Sequence, residues 1–551
     1  MDPLAELVHD MMAFSVRPAR VGDKSYVLHT CDSVPREFWA LWRDHKEELK
    51  DLGFRVNKNE ENDSFVVKHW EAGDGIARAT LPIRRPQQLV LPGIHYLAHG
   101  HDILKSYQIP AASTLIAGLQ AHRFVLDGSE TGLGKTYTAC ATAKNLGMNV
   151  GVVCPASVTT KWEDTLVDVF DIDPEFVLSY DKARQAPDDF LVRIDRKWRG
   201  KDITDYRWNT TAPVLLIFDE IQKCSGNGTL NSKLLHATLR DPFIWTLGLS
   251  ATVAEDPRDM LEVGYALGLH SGKNWWDWCL ANGCRPGTFG GLDFSSHPGS
   301  RGEAALNAIH QHIYPARGCR LRRQDLGDAI LKSEIFVEII DTGKLDKRVI
   351  DELEAVMEAE VRDAEKALEK GTDVCAFTTT LRDRQRAELA KVPTMADKAV
   401  DLLKEGWSVP VFLNFHGSIA LFDKLMPKDV WRRHFHGQMS SDARKKGLAD
   451  FQANKAHLLL VQMDSGSDSV DMHDVHGGHP RASLISPGYD ARKLQQALGR
   501  VDRLNAKTNS IQFIVFGSDS VEKRIARIVQ SKLGNMSRLN NGDLSGVPQL
   551  I

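Results

Sequence analysis

Cysteine is sparse in this chain of 551 residues: there are eight, scattered and without a CxxC pair, a usage that points to a reducing, intracellular compartment. Depending on the host, that would be the cytoplasm of a bacterial or virus-infected cell, or a nucleus. The start, MDPLAELVHDMMAF, carries Asp2, Glu6 and Asp10 where a secretory signal needs positive charge. No apolar run approaches the roughly 18 residues that cross a bilayer, which excludes a membrane-spanning chain. Excess positive charge is missing too: 69 Lys and Arg stand against 73 Asp and Glu, a net charge of −4, so any surface that grips nucleic acid must be local. Repeats and low-complexity tracts are absent, and 42% hydrophobic, 26% charged and 8% aromatic residues exclude a disordered, collagenous or coiled-coil chain. At roughly 150 residues per domain, the length implies three or four folding units.

What is present is a texture that changes along the chain. Residues 1–95 are mixed, with an amphipathic helix expected in VPREFWALWRDHKEELKDLGF, closed by Gly53, and a strand in SFVVKHW. They read as a small α+β domain that selects the substrate or a protein partner. From 96 to 325, the apolar runs RFVLDG, NVGVVCP, PVLLIFDE and IWTLGLS alternate with helical patterns, which predicts a parallel, helix-covered sheet with a helical extension after Val253. Residues 326–395 read as a helical insertion or linker, charge-dense from Lys344 to Lys391, with Leu345, Val349 and Leu353 on one face. From 396 to 551, the runs VPVFLNF, HLLLVQM, ASLIS and IQFIVF predict a second α/β lobe with a short tail.

The strongest chemical signal follows the strand RFVLD. There Gly128-Ser129-Glu130-Thr131-Gly132-Leu133-Gly134-Lys135-Thr136 leads into the helical pattern TYTACATAKNL. Glycines let such a loop wrap so that backbone N–H groups and a helix N-terminus face a polyphosphate. Lys135 then reaches the terminal phosphates and the Thr136 hydroxyl can ligate magnesium, which makes ATP and Mg2+ the expected cofactors. Ser129 stands where GxxxxGK[ST] begins with glycine, a small side chain the turn should tolerate. Asp219 and Glu220 end the apolar run VLLIF; Asp219 would hold the magnesium and Glu220 would activate water.

Asp219-Glu220-Ile221-Gln222, Leu249-Ser250-Ala251-Thr252 and Gln496-Ala497-Leu498-Gly499-Arg500-Val501-Asp502-Arg503 stand in order behind that loop. The series resembles the superfamily 2 helicases and translocases, over about 100 to 520. The resemblance implies two RecA-like lobes, ATP hydrolysis with Gln222 in the catalytic set, and Arg500 and Arg503 reaching across a cleft to the γ-phosphate. It also implies that Tyr107 and Gln108 read the adenine, and that Ser129, Thr131, Gly132, Gly134, Gln496 and Asp471 contact the nucleotide.

Val153-Cys154-Pro155-Ala156-Ser157 with Lys161 and Trp162, then Leu178-Ser179-Tyr180, then Arg320-Leu321-Arg322-Arg323-Gln324-Asp325-Leu326, resemble the Swi/Snf-type translocases and annealing helicases. Ser250-Ala251-Thr252 has the helicase form instead, and the stretch from Asp464 to Asp474 is closer to viral and strawberry-notch-like helicases. Ser469 there stands where glycine is common. By this resemblance Pro155, Ser157, Ser179, Tyr180, Ser465, Arg322 and Arg323 would contact nucleic acid. The expected function is an ATP-dependent translocase or helicase on duplex or branched DNA. An RNA helicase, or an ATP-driven switch subunit of a polymerase or virion assembly, is the alternative.

Three other patterns invite chemistry. His473, His476 and His479 form H-x2-H-x2-H without a nearby cysteine, and loop histidines are the better reading than a metal site. Trp275, Trp276 and Trp278 suit interior packing before base stacking. Arg432, Arg433, Arg444, Lys445 and Lys446 form a local basic cluster suited to phosphates.

Overall fold

The computed structural model describes the backbone of four strands within 16–70, then residues 97–550. Missing from the latter are 343–375, of which only Val349 is described, and stretches of one to three residues beginning at 187, 199, 211, 242, 288, 297, 330, 332, 467, 504 and 545. The chain divides into two compact units: Met1–Ile94 with Ser225–Asn227 and Pro257–Ala305, and His95–Cys224 with Gly228–Asp256 and Leu306–Ile551.

The first unit contains an antiparallel sheet in the order Val16–Val21, Lys24–Thr30, Asn62–Trp70, Phe54–Asn59. The strand expected in SFVVKHW is part of Asn62–Trp70. The amphipathic helix expected before Gly53 lies outside the described residues. Pro257–Ala305, expected as an extension of the first lobe, belongs to this unit. Its short helix Trp275–Ala281 packs Trp278 against His270, ring centroids 5.1 Å apart, while Trp276 is exposed.

The second unit holds two six-stranded sheets. The strands of the first lie in the order Gly318–Cys319, Phe124–Asp127, Ile244–Leu249, Val214–Asp219, Asn149–Cys154, Phe176–Ser179, all parallel. Those of the second lie in the order Ser333–Ile340, Ser510–Gly517, Arg481–Ile485, Val409–Leu413, Leu458–Gln462, Arg432–Phe435, again all parallel. All eight apolar runs picked from the sequence are strands of these sheets. Central strands of a parallel sheet are covered on both faces, so they must be apolar at successive positions rather than alternate positions. Val214–Asp219 is buried at five successive residues before its terminal Asp219, and Val409–Leu413 is buried throughout. Two RecA-like parallel lobes, each a helix-covered α/β layer, thus share one unit.

The stretch expected to be helical from 326 to 395 is corrected in part. Ser333–Ile340 is a strand pairing with Ser510–Gly517, from Ser333 opposite Ser510 to Ile340 opposite Gly517. It sits at the sheet's edge and is half exposed, so its pattern of Ile, Phe, Val and Glu lacks the continuous burial that marks a central strand. Of the helix expected from Lys344 to Lys391, the part up to 375, with Leu345 and Leu353, lies outside the described residues apart from Val349; the rest falls in helix Ala376–Lys404, with Pro393 inside it.

That helix is fastened to the second sheet by a buried ion pair. Lys391 Nζ donates to Glu522 Oε2 at 2.8 Å and to the Val515 carbonyl at 2.9 Å. Burial pushes the Glu522 carboxyl up, and Lys391 opposes the shift. Both side chains are inaccessible, so losing one partner strands a charge without water. Lys391→Met should therefore destabilise this unit by about 3–5 kcal/mol in urea unfolding, and Lys391→Met with Glu522→Leu should recover most of the loss.

Candidate active site

Strand Phe124–Asp127 delivers the loop, and helix Lys135–Leu146 begins directly behind it. Gly132 and Gly134 adopt φ of +80° and +83°, a conformation that costs a β-carbon residue free energy and that glycine adopts freely. A Cβ on Gly134 would lie 2.3 Å from Gln108 Nε2. That amide is buried and engaged with the loop: Nε2 donates to the Leu133 carbonyl at 3.0 Å, and Oε1 accepts from Lys105 N at 2.8 Å. Gln108 therefore braces the loop from behind. Tyr107 precedes it, and burial pushes its hydroxyl up to about 12.

Lys135 Nζ donates to the Ser129 and Glu130 carbonyls at 2.8 and 3.2 Å, so the ammonium caps its own loop. Burial lowers its pKa, while Asp127, Glu220 and Asp219 oppose the shift. The Ser129 hydroxyl accepts from Leu321 N at 3.1 Å and is buried; it faces the protein interior, not the cleft. This corrects its expected contact with nucleotide.

Asp219 ends its strand in a crowded anionic corner. Oδ2 accepts from Trp162 Nε1 at 3.0 Å, Oδ1 from Glu220 N at 3.0 Å, and the Asp219 carbonyl from Tyr180 Oη at 2.9 Å. Burial and the neighbouring Glu220 raise the Asp219 carboxyl to about 6, against the Trp162 bond and Lys135. Glu220 sits at φ +54°, a sparsely populated conformation for a residue with a side chain, and its carboxylate accepts from Gln222 Nε2. Gln222 thus orients the carboxylate rather than reaching nucleotide.

The second lobe closes the cleft. Helix Ala491–Val501 lies against the loop so closely that a Cβ on Gly499 would fall 2.3 Å from Thr131 Oγ1. Asp471 bridges the lobes, pairing with Arg503 Nε at 2.9 Å and Lys161 Nζ at 3.3 Å. Burial alone would raise the Asp471 carboxyl, but Arg503, Lys161, His473 and Arg500 hold it well below the usual range. Arg500 is buried and donates to the Val470 carbonyl at 3.2 Å. One cleft of about 100 Å³ is lined by Thr131, Gly132, Lys135, Thr136, Lys161, Trp162, Asp219, Glu220, Asp471, Gln496, Arg500 and Arg503. These residues fit a magnesium–triphosphate: a loop with free curvature, paired carboxylates in need of a cation, and arginines facing them.

The expected nucleic-acid residues fare differently. Ser157 is exposed and Pro155 is buried. Ser179 and Tyr180 are buried; Ser179 Oγ caps a helical turn by accepting from Lys182 N, and Tyr180 buttresses Asp219. Arg322 forks onto Asp325 at 2.7 and 2.8 Å and reaches Asp543 at 2.8 Å. Arg323 pairs with Asp502 at 2.5 Å across the lobes. Direct nucleic-acid contact by these four is therefore corrected in this structure, since their polar atoms already have internal partners. Ser465 is half-buried, and Ser469 lies outside the described residues. Trp162 and Lys161 were legible only as companions of the Pro155 motif, because nothing local ties an indole to a carboxylate 57 residues away.

The loop, the carboxylate pair and the facing arginines define a two-lobed P-loop ATPase. Residues 394–505 match the helicase conserved C-terminal domain. Over 463 residues, 80% of this chain and 84% of the relative, the chain is 28% identical to an Acanthamoeba polyphaga mimivirus protein whose name assigns it as an ATP-dependent RNA helicase. The solved structure of S. cerevisiae Dbp5 bound to RNA and ADP BeF3 aligns at 11% identity and a TM-score of 0.39, covering 77% of this chain and 87% of that one. The second lobe thus carries a helicase C-terminal domain, and the chain is similar over most of its length to an ATP-dependent helicase, which supports a nucleic-acid-dependent ATPase. Among the described residues no helix is long and apolar enough to cross a membrane.

Two substitutions probe this geometry. Trp162→Phe keeps the packing and removes the 3.0 Å bond to Asp219, so turnover should fall about tenfold, as expected for loss of one hydrogen bond to a charged group, and recover partly at high Mg2+. Gly499→Ala should lower ATPase at least as much without shifting thermal stability, read by steady-state kinetics beside a melting curve.

Proposed function

We propose that this enzyme couples ATP hydrolysis to movement along nucleic acid, with duplex or branched DNA as its track. The observation that carries the reading is the convergence of residues from both lobes on one cleft. ATP with Mg2+, when bound, supplies the phosphoanhydride whose cleavage drives the cycle. Lys135 would exchange its own loop carbonyls for phosphate oxygens, and Thr136 and Asp219 would hold the metal. Glu220, oriented by Gln222, would take a proton from the attacking water. Arg500 and Arg503 come from the other lobe, so their charge is in place only when the lobes are closed. Hydrolysis thereby gates the relation between the two lobes, and a strand lying across both would be moved by it.

The DNA reading rests on the Swi/Snf-like sequence of Val153–Ser157 and the segments after it. A second reading, an RNA helicase, is favoured by the mimivirus relative, of whose length the alignment covers 84%. Residues 1–95 remain the part we assign to choice of substrate or protein partner. ATPase rates with single-stranded, duplex and forked DNA and with RNA separate the readings. Duplex or forked DNA should stimulate at least tenfold more than RNA, and the reverse order would replace the first reading by the second.

Lys135→Ala and Glu220→Gln should both abolish turnover, the first losing phosphate contact and the second retaining nucleotide binding. Arg500→Ala and Arg503→Ala should lower the rate by about 10³-fold with nucleotide affinity nearly intact. The pH dependence has a defined sign. The folded Asp219 carboxyl lies above its unfolded value, so protonation favours the nucleotide-free fold, and that contribution is lost as pH rises through about 6. Below about pH 6 protons should therefore compete with Mg2+, raising the Mg2+ concentration needed for half-maximal ATPase.

A further inference from the structure

The last helix, Ser520–Asn541, changes its burial halfway along. Glu522, Ile525, Ala526 and Val529 lie on one face at helical spacing, and the last three join the core of the second lobe. From Leu533 to Asn540 every residue is buried, including the polar Asn535, Ser537, Arg538 and Asn540. A helix covered all round has a second surface against it, and here the first lobe supplies that surface. Lys532 Nζ pairs with Glu255 Oε2 at 3.0 Å. Gly542 ends the helix at φ +76°, where a Cβ would lie 2.8 Å from His310 Cδ2. Asp543 accepts from Arg322 Nη1, and Asn541 Oδ1 from Arg320 Nε, both at 2.8 Å. Asn541 Nδ2 donates to Ser537 Oγ at 3.1 Å, which turns the amide oxygen toward the arginine.

Arg320 is where this helix meets the phosphate loop. Residues 317–321 run beside the loop and hold it by backbone bonds: Leu126 N donates to the Arg317 carbonyl at 3.0 Å, Gly128 N to that of Cys319 at 2.9 Å and Glu130 N to that of Leu321 at 3.0 Å. The Arg320 side chain is buried between them and the helix end. Its Nη1 donates to the carbonyl of Gly128 in the loop and, at 3.0 Å, to that of Ala251 in Ser250-Ala251-Thr252. Its Nη2 lies 3.8 Å from Glu130 Oε1. Tyr314 closes the space behind Gly128, where a Cβ would clash with Oη. One guanidinium thus joins the ends of two neighbouring strands of the first lobe to the last helix of the second. Its donors point in directions fixed by a planar fork, so losing the acceptor on one arm changes how the others are held.

We propose that Arg320 is a positioning residue of the ATPase and that the last helix is the strap that sets it. With Asn541 in place, the guanidinium holds the Gly128 carbonyl, and with it the loop whose carbonyls Lys135 caps. This rests on the ATPase reading above and adds a contact by which the position of the second lobe reaches the loop from behind, outside the cleft. The test uses the full chain, with kcat and KM for ATP measured in saturating oligo(dT) or oligo(U), whichever stimulates the wild type more, beside a melting curve. Asn541→Ala should lower kcat about tenfold, as for loss of one hydrogen bond to a charged group, with KM within about twofold of wild type. Its melting temperature should fall by no more than about 3 °C. Asn541→Asp keeps an acceptor for Arg320 Nε and should return kcat to within about twofold of wild type, which a merely structural asparagine would not require. Arg320→Lys puts one donating centre in place of the fork and should lose at least as much as Asn541→Ala. Adding Asn541→Ala to Arg320→Lys should cost less than about threefold more, because both act through one contact. A kcat within about twofold of wild type in Asn541→Ala overturns the strap and leaves the ATPase reading standing. A loss that Asn541→Asp does not repair, or losses that multiply in the double variant, overturn it as well. A wild type that hydrolyses no ATP fails the ATPase reading, and the strap with it.

Discussion

Carboxylates concentrated at the ends of parallel strands, with one lysine among them, are the constraint on which the rest of the second unit depends. Asp127 and Asp219 end two strands of one sheet that flank Ile244–Leu249, Glu220 follows, and Lys135 is the cation that all three act upon. Buried charge of one sign is costly without a counter-ion. The lobe therefore surrounds the corner with donors: an indole, a tyrosine hydroxyl, a glutamine amide and the loop's own backbone. Burial and the neighbouring Glu220 push the Asp219 carboxyl up to about 6.

The second lobe answers with cations, and the way it does so explains why arginines that read as nucleic-acid contacts are found elsewhere. Arg323 binds Asp502, Arg503 binds Asp471, and Asp471 binds Lys161, so a chain of alternating charge runs across the closed lobes. Arg320, buried behind the loop, donates to the Gly128 and Ala251 carbonyls and ties the ends of three strands together. The ion pairs at Asp471 that join the two lobes are made by residues that also line the cleft.

Legibility tracked burial. Strands such as Val214–Asp219 and Leu458–Gln462 could be read as apolar runs because both their faces are covered. Ser333–Ile340 at a sheet edge and the ribbon from Leu191 to Trp208 could not, because half-exposed strands mix charged and apolar residues much as a surface helix does. The site shows the same division. Thr131, Lys135, Asp219, Glu220, Gln496, Arg500 and Arg503 belong to short motifs with fixed spacing, and they meet in one cleft. Trp162 and Lys161 do their work through residues 57 and 310 positions away. No local pattern encodes such a distance.

The sequence by itself determined the parallel α/β character of both lobes, the glycine-rich loop and the carboxylate pair Asp219–Glu220 at a strand end, because each depends on residues adjacent in the chain and on backbone curvature that glycine permits. The tertiary structure alone decided which cations line the cleft and which are paired with carboxylates outside it. Arg322, Arg323 and Arg503 are chemically identical; Arg322 meets Asp325 three residues on, Arg503 meets Asp471 within the second lobe, and only the packing of one lobe on the other brings Asp502 within reach of Arg323. It decided as well that Ser179 and Tyr180 turn inward, since whether a hydroxyl faces water or a buried carbonyl is set by the neighbours that cover it.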